Sequence, residues 1–325
     1  MTTLDEKQII QIFVNKLGIS NLDDVAVLDN GIVIKSDMLV ASSDVPQGME
    51  AWQTARKSMV SCVSDLAAKG VRPFAAVVSL GLPNSCSIQR PYIEKLAEGF
   101  AIASKEFGVK IVGGDTNEAS ELVIDCSMIG LARFKIPGRN GAKPGDYVVV
   151  SGAFGSAPAG LSILLQKNTN KLDKNTNKNS NNNLFRKRAL TSVLEPCPRQ
   201  RFGLTLARYF SSSIDSSDGL ALSLYELANQ SSNVDFTIYD IPIIEGLEKF
   251  AQENHLDAYE LVFHGGEEYE IVATISDAKM RQAKTAARKA GVSLYVIGRV
   301  QRGTGKVFVQ NRLLENRGYI HFHSR

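Results

Sequence analysis

Cysteine is scarce in this chain, at four in 325 residues. Cys62, Cys86, Cys126 and Cys197 are far apart and form no CxxC pair. They read as reduced thiols, mostly core filler, rather than as a disulfide framework or a zinc site. Histidine is just as rare, and His255, His264, His321 and His323 fall into no metal-ligand spacing. No uninterrupted apolar run approaches the roughly 20 residues that cross a bilayer, and MTTLDEKQII is too polar and acidic to read as a secretory signal. Net charge is only +3, with both signs mixed along the chain and no basic stripe. These absences point away from membranes and nucleic acid and toward the cytoplasm. Three nucleotide and acyl-transfer signatures are also missing. There is no GxxxxGK[ST] (Gly305-Lys306 runs into Val307), no GxSxG, and no GxGxxG opening a helix after a strand.

What is present describes a globular α/β protein of two domains. The apolar share is 44% and the charged share 22%, ordinary values for two packed cores. Residues 31–40 read as a strand, 50–69 as a helix with Trp52, Ala55, Met59, Val63 and Leu66 at helical spacing, and 74–83 as a second strand. A second helix over 92–107 stops at Gly108, and 109–112 and 121–132 read as further strands. Pro137, Gly138, Gly141, Pro144 and Gly145 mark a boundary, giving domains 1–136 and 137–325. Beyond it, Tyr147–Ser151 reads as a strand, SSSIDSSDGLALSLYELANQ as a loop running into a helix, EEYEIVATI and SLYVIGRV as strands, and 277–290 as a helix. Gln166–Asn183 is nearly all Asn, Lys, Thr and Ser and cannot bury a core. It reads as a surface insertion.

The informative residues are aspartates beside small neighbours at element ends: Asp23 and Asp24, Asp37, Asp65, Asp115, Asp215 and Asp218. Hard cations take carboxylate oxygens together with substrate phosphates and water, and small neighbours let backbone approach phosphate closely. Singly, most of these read equally well as turn residues or helix caps. Asp65 is different, because Ser58, Ser61 and Cys62 give its helix face a small, polar character. Glu267, Glu268 and Glu270 put three carboxylates into four residues, which repel one another unless something positive stands near.

In order along the chain, LDDVAVL, KSDMLV, ARKSMVSCVSDLAAKGVRP, IVGGDT, GRNGAKPGD, IDSSDGL, HGGEEYE and GYIHF resemble thiamine-monophosphate kinases, of the aminoimidazole-ribonucleotide-synthetase-like (PurM-like) superfamily. The resemblance runs from residue 22 to residue 322. It implies a mixed α/β, two-domain architecture whose N-terminal domain pairs with its copy in a homodimer. It also implies ATP and several Mg²⁺ ions between the domains. By position, Asp24, Ser36, Asp37, Asp65, Asp115, Asp215 and Asp218 are implied as metal ligands. Gly114, Asp115, Arg139 and Ser217 are implied as ATP contacts, and Asp44, Glu267 and Tyr319 lie at the thiamine end. The implied reaction is ATP plus thiamine monophosphate giving ADP and thiamine diphosphate. Three departures stand out: Asp44 where bacterial members carry a histidine, Lys35 where a small hydroxyl residue is common, and Glu268 for the aspartate of GEDYE. Other readings are a selenophosphate synthetase, although no cysteine precedes Cys62; a hydrogenase maturation protein, although the chain ends HFHSR rather than in cysteine; a purine-pathway synthetase; and a nucleotide-binding regulator without turnover.

Overall fold

The computed structural model describes residues 4–19, 22–84, 89–168 and 180–319. The expectations for Cys86, for residues 169–179 of the insertion, and for His321, His323 and the end of GYIHF lie outside the described residues. The first half runs α1 (Glu6–Leu17), β1 (Ala26–Val27), β2 (Ile32–Val40), α2 (Ala41–Asp44), α3 (Ala51–Ala68), β3 (Arg72–Pro83), α4 (Arg90–Phe107), β4 (Lys110–Ala119) and β5 (Val123–Leu131). Its five strands form one sheet in the order β1-β2-β5-β3-β4, antiparallel except for the β3–β4 pair. Strand alternation divides the side chains between two faces. Val33 and Leu39 of β2 and Ile124, Cys126 and Met128 of β5 turn toward α3 and α4 and form the first core. The other face is open, and Met38, Phe74, Val77, Ile129 and Leu131 are exposed there.

The second half runs β6 (Tyr147–Val150), α5 (Ser156–Asn168), α6 (Ser180–Leu194), α7 (Gln200–Leu206), β7 (Phe210–Ser216), α8 (Leu220–Gln230), β8 (Val234–Ile238), α9 (Leu247–Glu253), α10 (Ala258–Phe263), β9 (Glu270–Ile275), α11 (Asp277–Ala290), β10 (Tyr295–Arg302), β11 (Val307–Val309) and β12 (Arg312–Leu313). Its seven strands order as β12-β11-β8-β10-β6-β9-β7. Phe154, Leu220, Leu224 and Phe236 pack on one side of that sheet, and Leu206, Ala273, Met280 and Ala283 on the other.

Helix α3 joins the halves. Met59, Val60 and Val63 fill the first core, while Ala67 and Ala68 belong to a core of the second half. A helix covered on both sides loses its solvent face, and α3 is buried almost throughout, polar residues included. Its C-terminal end is stitched to β7. Ser213 Oγ donates to the Ala68 carbonyl at 2.7 Å, and Lys69 Nζ donates to the Ser213 carbonyl at 2.7 Å.

One reading of the sequence changes here. SSSIDS is strand β7 and not a loop, because Ser212 and Ser213 find partners inside the fold: Ser212 Oγ meets Thr274 Oγ1 at 2.8 Å and Ser213 reaches α3. The described cysteines are free thiols, as the sequence suggests, with Cys62 and Cys126 buried and Cys197 exposed. Among the described residues, no helix is long and apolar enough to cross a membrane.

Candidate functional site: an acidic centre at the junction of the two sheets

Asp24 precedes β1, Asp65 lies on the last turns of α3, and Asp215 ends near the tip of β7. Packing α3 between the two sheets brings them together. One carboxylate oxygen from each lies within 4.8 Å of the others, and all three residues are buried. Ser64 Oγ donates to Asp215 Oδ2 at 2.8 Å and so fixes one carboxylate from the neighbouring position on α3.

Electrostatics decides what this arrangement needs. Each ionised pair at this spacing costs about 3 kcal/mol at an effective dielectric near 20, and the three pairs together rival the whole stability of a domain. Cations from the chain offset part of that cost. Lys69 Nζ, fully buried, sits 2.6 Å from Asp23 Oδ1 and 2.8 Å from Asp24 Oδ2. The Arg139 guanidinium pairs with Asp24 Oδ1. Lys35 Nζ sits 2.6 Å from Asp65 Oδ2 and 3.5 Å from Asp37 Oδ2.

The carboxyls respond differently. Burial works against Asp24, but Lys69 and Arg139 outweigh it and hold this carboxyl below the usual range. Asp65 is pushed up to about 6 by burial, assisted by Asp24 and Asp37 and only partly countered by Lys35. Asp215 goes well above its ordinary value through burial and through Asp65 and Asp24. Asp24 Oδ2 meets the Lys69 ammonium at 2.8 Å. Three converging carboxylate oxygens, two of them on carboxyls that resist ionising on their own, are the donor set a hard cation takes.

A second group of residues meets around Lys57 on α3. Its Nζ donates to the Asp44 carbonyl at 2.6 Å and pairs with Glu267 Oε2 at 2.8 Å. The Asp44 carboxylate accepts from the Val40 N–H at 2.7 Å, so the turn after β2 is held from both sides. Glu267 adopts φ 70 and Tyr269 φ 52, and the Gly265-Gly266 turn before them lies against the end of β7. A Cβ on Gly266 would meet the Ser217 carbonyl at 2.5 Å, so only glycine fits. Glu267 and Tyr269 donate their N–H groups to the Ser217 and Ser216 carbonyls at 2.6 and 2.9 Å, and Tyr319 donates its own to Asp218 at 3.0 Å. One short turn, 216–218, thus carries Glu267 and Tyr319, distant in sequence, together with Ser217 and the exposed Asp218.

The three neighbouring glutamates have three different surroundings. Glu267 meets Lys57. Glu270 meets Arg199 at 2.5 Å. Among the described residues Glu268 has no cation in direct contact; it accepts the Gly155 N–H at 2.6 Å, and burial, with Glu270 adding to it, pushes its carboxyl up to about 8.

Comparison with known proteins fits this geometry. Residues 22–132 match the family model "AIR synthase related protein, N-terminal domain". The chain is 41% identical to the thiamine-monophosphate kinase of Nitrosopumilus maritimus over 99% of its own length and all of that protein. It is 34% identical to that of Pyrococcus horikoshii over 94% and 91%. The chain belongs to the thiamine-monophosphate kinase family. Among solved structures, AaThiL complexed with AMPPCP and TMP superposes with a TM-score of 0.86 at 25% identity, covering 99% of both chains. The hydrogenase maturation protein HypE in complex with ATP, at 20% identity and a TM-score of 0.67, shares the fold.

Not every residue that the family resemblance implies joins the acidic centre. Ser36 alternates with Lys35 and Asp37 on β2, so its hydroxyl lies on the open face of the sheet, donating to Asp125 Oδ1 at 2.8 Å beside Ser127. Asp115 is exposed on the edge strand β4, paired in register with Ser79 on that same open face. Gly114 precedes it where a Cβ would stand 1.8 Å from the Val78 carbonyl. Lys57 and Lys69 were not singled out by sequence reasoning, although a signal was available. Lys57, Ser61, Asp65 and the C-cap Lys69 recur every fourth residue, a polar stripe along one side of the helix.

Proposed function

We propose that the chain transfers the γ-phosphoryl group of ATP to thiamine monophosphate, giving ADP and thiamine diphosphate, with Mg²⁺ held at the acidic centre. The observation that carries this reading is the convergence of Asp24, Asp65 and Asp215 in a full-length member of the thiamine-monophosphate kinase family. Asp24, Asp65 and Asp215, with Asp37 beside them, would hold the metal, which supplies positive charge against the phosphate oxygens. The acceptor is itself a phosphate oxygen, ionised near neutral pH, so no strong general base is required. The new bond joins that oxygen to the γ-phosphorus as the bond to the β-phosphate oxygen breaks, and ADP leaves with the electron pair. Orientation and charge neutralisation are the work left to the protein. Arg139, paired with Asp24 at the rim of the centre, would contact ATP together with Gly114, Asp115 and Ser217. Asp218 and Ser36 are further ligand candidates at the periphery. Asp44, Glu267 and Tyr319 line the thiamine end, with Lys57 fixing Asp44 and Glu267.

Domains 1–136 and 137–325 follow the two sheets, and the site lies between them. The open face carrying Met38, Phe74, Val77 and Ile129 supports a homodimer through the N-terminal sheet, since a broad exposed apolar face favours a partner. A cytoplasmic location accords with reduced thiols. The deciding experiment is ADP release by the purified chain with thiamine monophosphate, thiamine, aminoimidazole precursors and selenide in parallel, and product identification by chromatography. Magnesium-dependent thiamine diphosphate formation is expected. ADP release that follows another acceptor would overturn the assignment.

A further inference from the structure

Lys35 is out of place in a strand that otherwise builds a core. It alternates with Val33, Asp37 and Leu39 on the inner face of β2, and both Val33 and Leu39 are buried. Its aliphatic stem therefore runs among apolar neighbours and its ammonium emerges at the acidic centre, 2.6 Å from Asp65 Oδ2 and 3.5 Å from Asp37 Oδ2. The side chain keeps only 19% of its exposure. We infer that the Lys35 ammonium is a built-in cation occupying a subsite between Asp65 and Asp37 that would otherwise take a divalent ion, so that this chain binds one ion fewer than its carboxylates would hold.

Charge counting supports this. Asp23, Asp24, Asp37, Asp65 and Asp215 are five carboxylates, and Lys35, Lys69 and Arg139 are three cations in contact with them; five less three leaves two negative charges. A single divalent ion balances that remainder. Without Lys35 the remainder is three, and the gap between Asp65 and Asp37 has oxygen donors on both sides, as a hard cation requires. The three cations are not equivalent. Lys69 is fully buried and also bonded to the Ser213 carbonyl, so it is structural. Arg139 is partly exposed at the rim, where it grips Asp24 Oδ1 and reaches Glu226 at 3.9 Å. Lys35 stands inside the acidic centre itself, between two of its carboxylates on different elements, Asp37 on β2 and Asp65 on α3. A lysine is a compact, strongly hydrated point charge without directional demands, the closest side-chain equivalent of an ion.

The inference rests on reading the acidic centre as the magnesium site, and its test separates the two. Mn²⁺ bound per chain would be counted by electron paramagnetic resonance, in the presence of a non-hydrolysable ATP analogue, for the wild-type chain, Lys35→Thr and Lys35→Met. Lys35→Thr is expected to bind about one Mn²⁺ more than wild type, and Lys35→Met, which fills the space without charge or donor, no more than wild type. Equal counts for wild type and Lys35→Thr would overturn the inference while leaving the metal site standing. Absence of Mn²⁺ from the wild-type chain would overturn both. Should Lys35→Thr fail to fold, anomalous diffraction from the wild-type Mn²⁺ complex decides. The Lys35 ammonium is expected to remain on Asp65, and a manganese ion between Asp65 and Asp37, with the lysine swung away, would refute it.

Discussion

Asp65 sits between opposing demands: burial and two neighbouring carboxylates disfavour its charge, and Lys35 supports it. Neutralising it by Asp65→Asn should leave the fold intact, because the amide keeps the volume and removes a repulsion. Turnover should fall by about 10²-fold or more, since one lost metal contact is worth several kcal/mol of transition-state charge stabilisation. Steady-state kinetics at ordinary Mg²⁺, beside a melting curve, checks both halves; near wild-type turnover would remove Asp65 from the metal site. Glu268 offers a pH test away from the metal. Its carboxyl moves from 4.5 to about 8 on folding. The folded chain therefore retains a proton that the unfolded chain has already released over that interval. The stability this contributes is complete below about 4.5 and is lost as pH rises through about 8. Relative to Glu268→Gln, the wild-type protein should lose a few kcal/mol of unfolding free energy between pH 5 and pH 8.5. Denaturant titrations across that range read the difference, and parallel profiles would show Glu268 ionised throughout.

At the scale of elements, α3 determines the most. Its apolar positions are readable from periodicity, and so is the stripe Lys57, Ser61, Asp65, Lys69. That stripe touches in turn the Glu267 turn, Tyr269, the acidic centre and the Asp23-Asp24 segment. Strand β7 was harder to read, because Ser211, Ser212 and Ser213 resemble a loop in any local pattern. Their acceptors, Thr274 on β9 and Ala68 on α3, lie far away in sequence. The C-terminal segment also depends on a distant element. Tyr319 is exposed and anchored by its backbone to Asp218, which favours a ligand contact over core packing. Tyr319→Ala should raise KM for thiamine monophosphate about 2- to 30-fold, the range of a stacking or cation–π contact to a thiazolium, and leave KM for ATP and Tm near wild type. A drop in Tm with both KM values shifting together would make Tyr319 structural.

For the whole molecule, the open face of the N-terminal sheet makes the clearest demand. A charge placed at its centre, as in Met38→Glu or Val77→Glu, should cost little in the isolated subunit, because both side chains already face outward. In a dimer closed over that face, each substitution would bury two like charges. Light scattering coupled to size exclusion should find a dimer for wild type and a monomer for either variant. A wild-type monomer, or a charged variant that remains dimeric, would place the interface elsewhere.

The sequence by itself determined the inventory: a mixed α/β chain, oxygen ligands in place of a P-loop, the aspartates on short motifs, and α3 as the helix that carries Asp65. These are local properties, set by periodicity, turn chemistry and the identity of neighbours. Tertiary structure decided what the inventory becomes. Asp24, Asp65 and Asp215 meet because two sheets pack on opposite sides of one helix, a matter of register and docking that no local pattern encodes. The same packing buries Lys69 beneath the centre and points Lys35 into it. It also turns Ser36 to the opposite face from Asp37, and gives Glu267, Glu268 and Glu270 a lysine, a backbone amide and an arginine in turn. Charge states depend on partners and on burial, and both are supplied by residues remote along the chain.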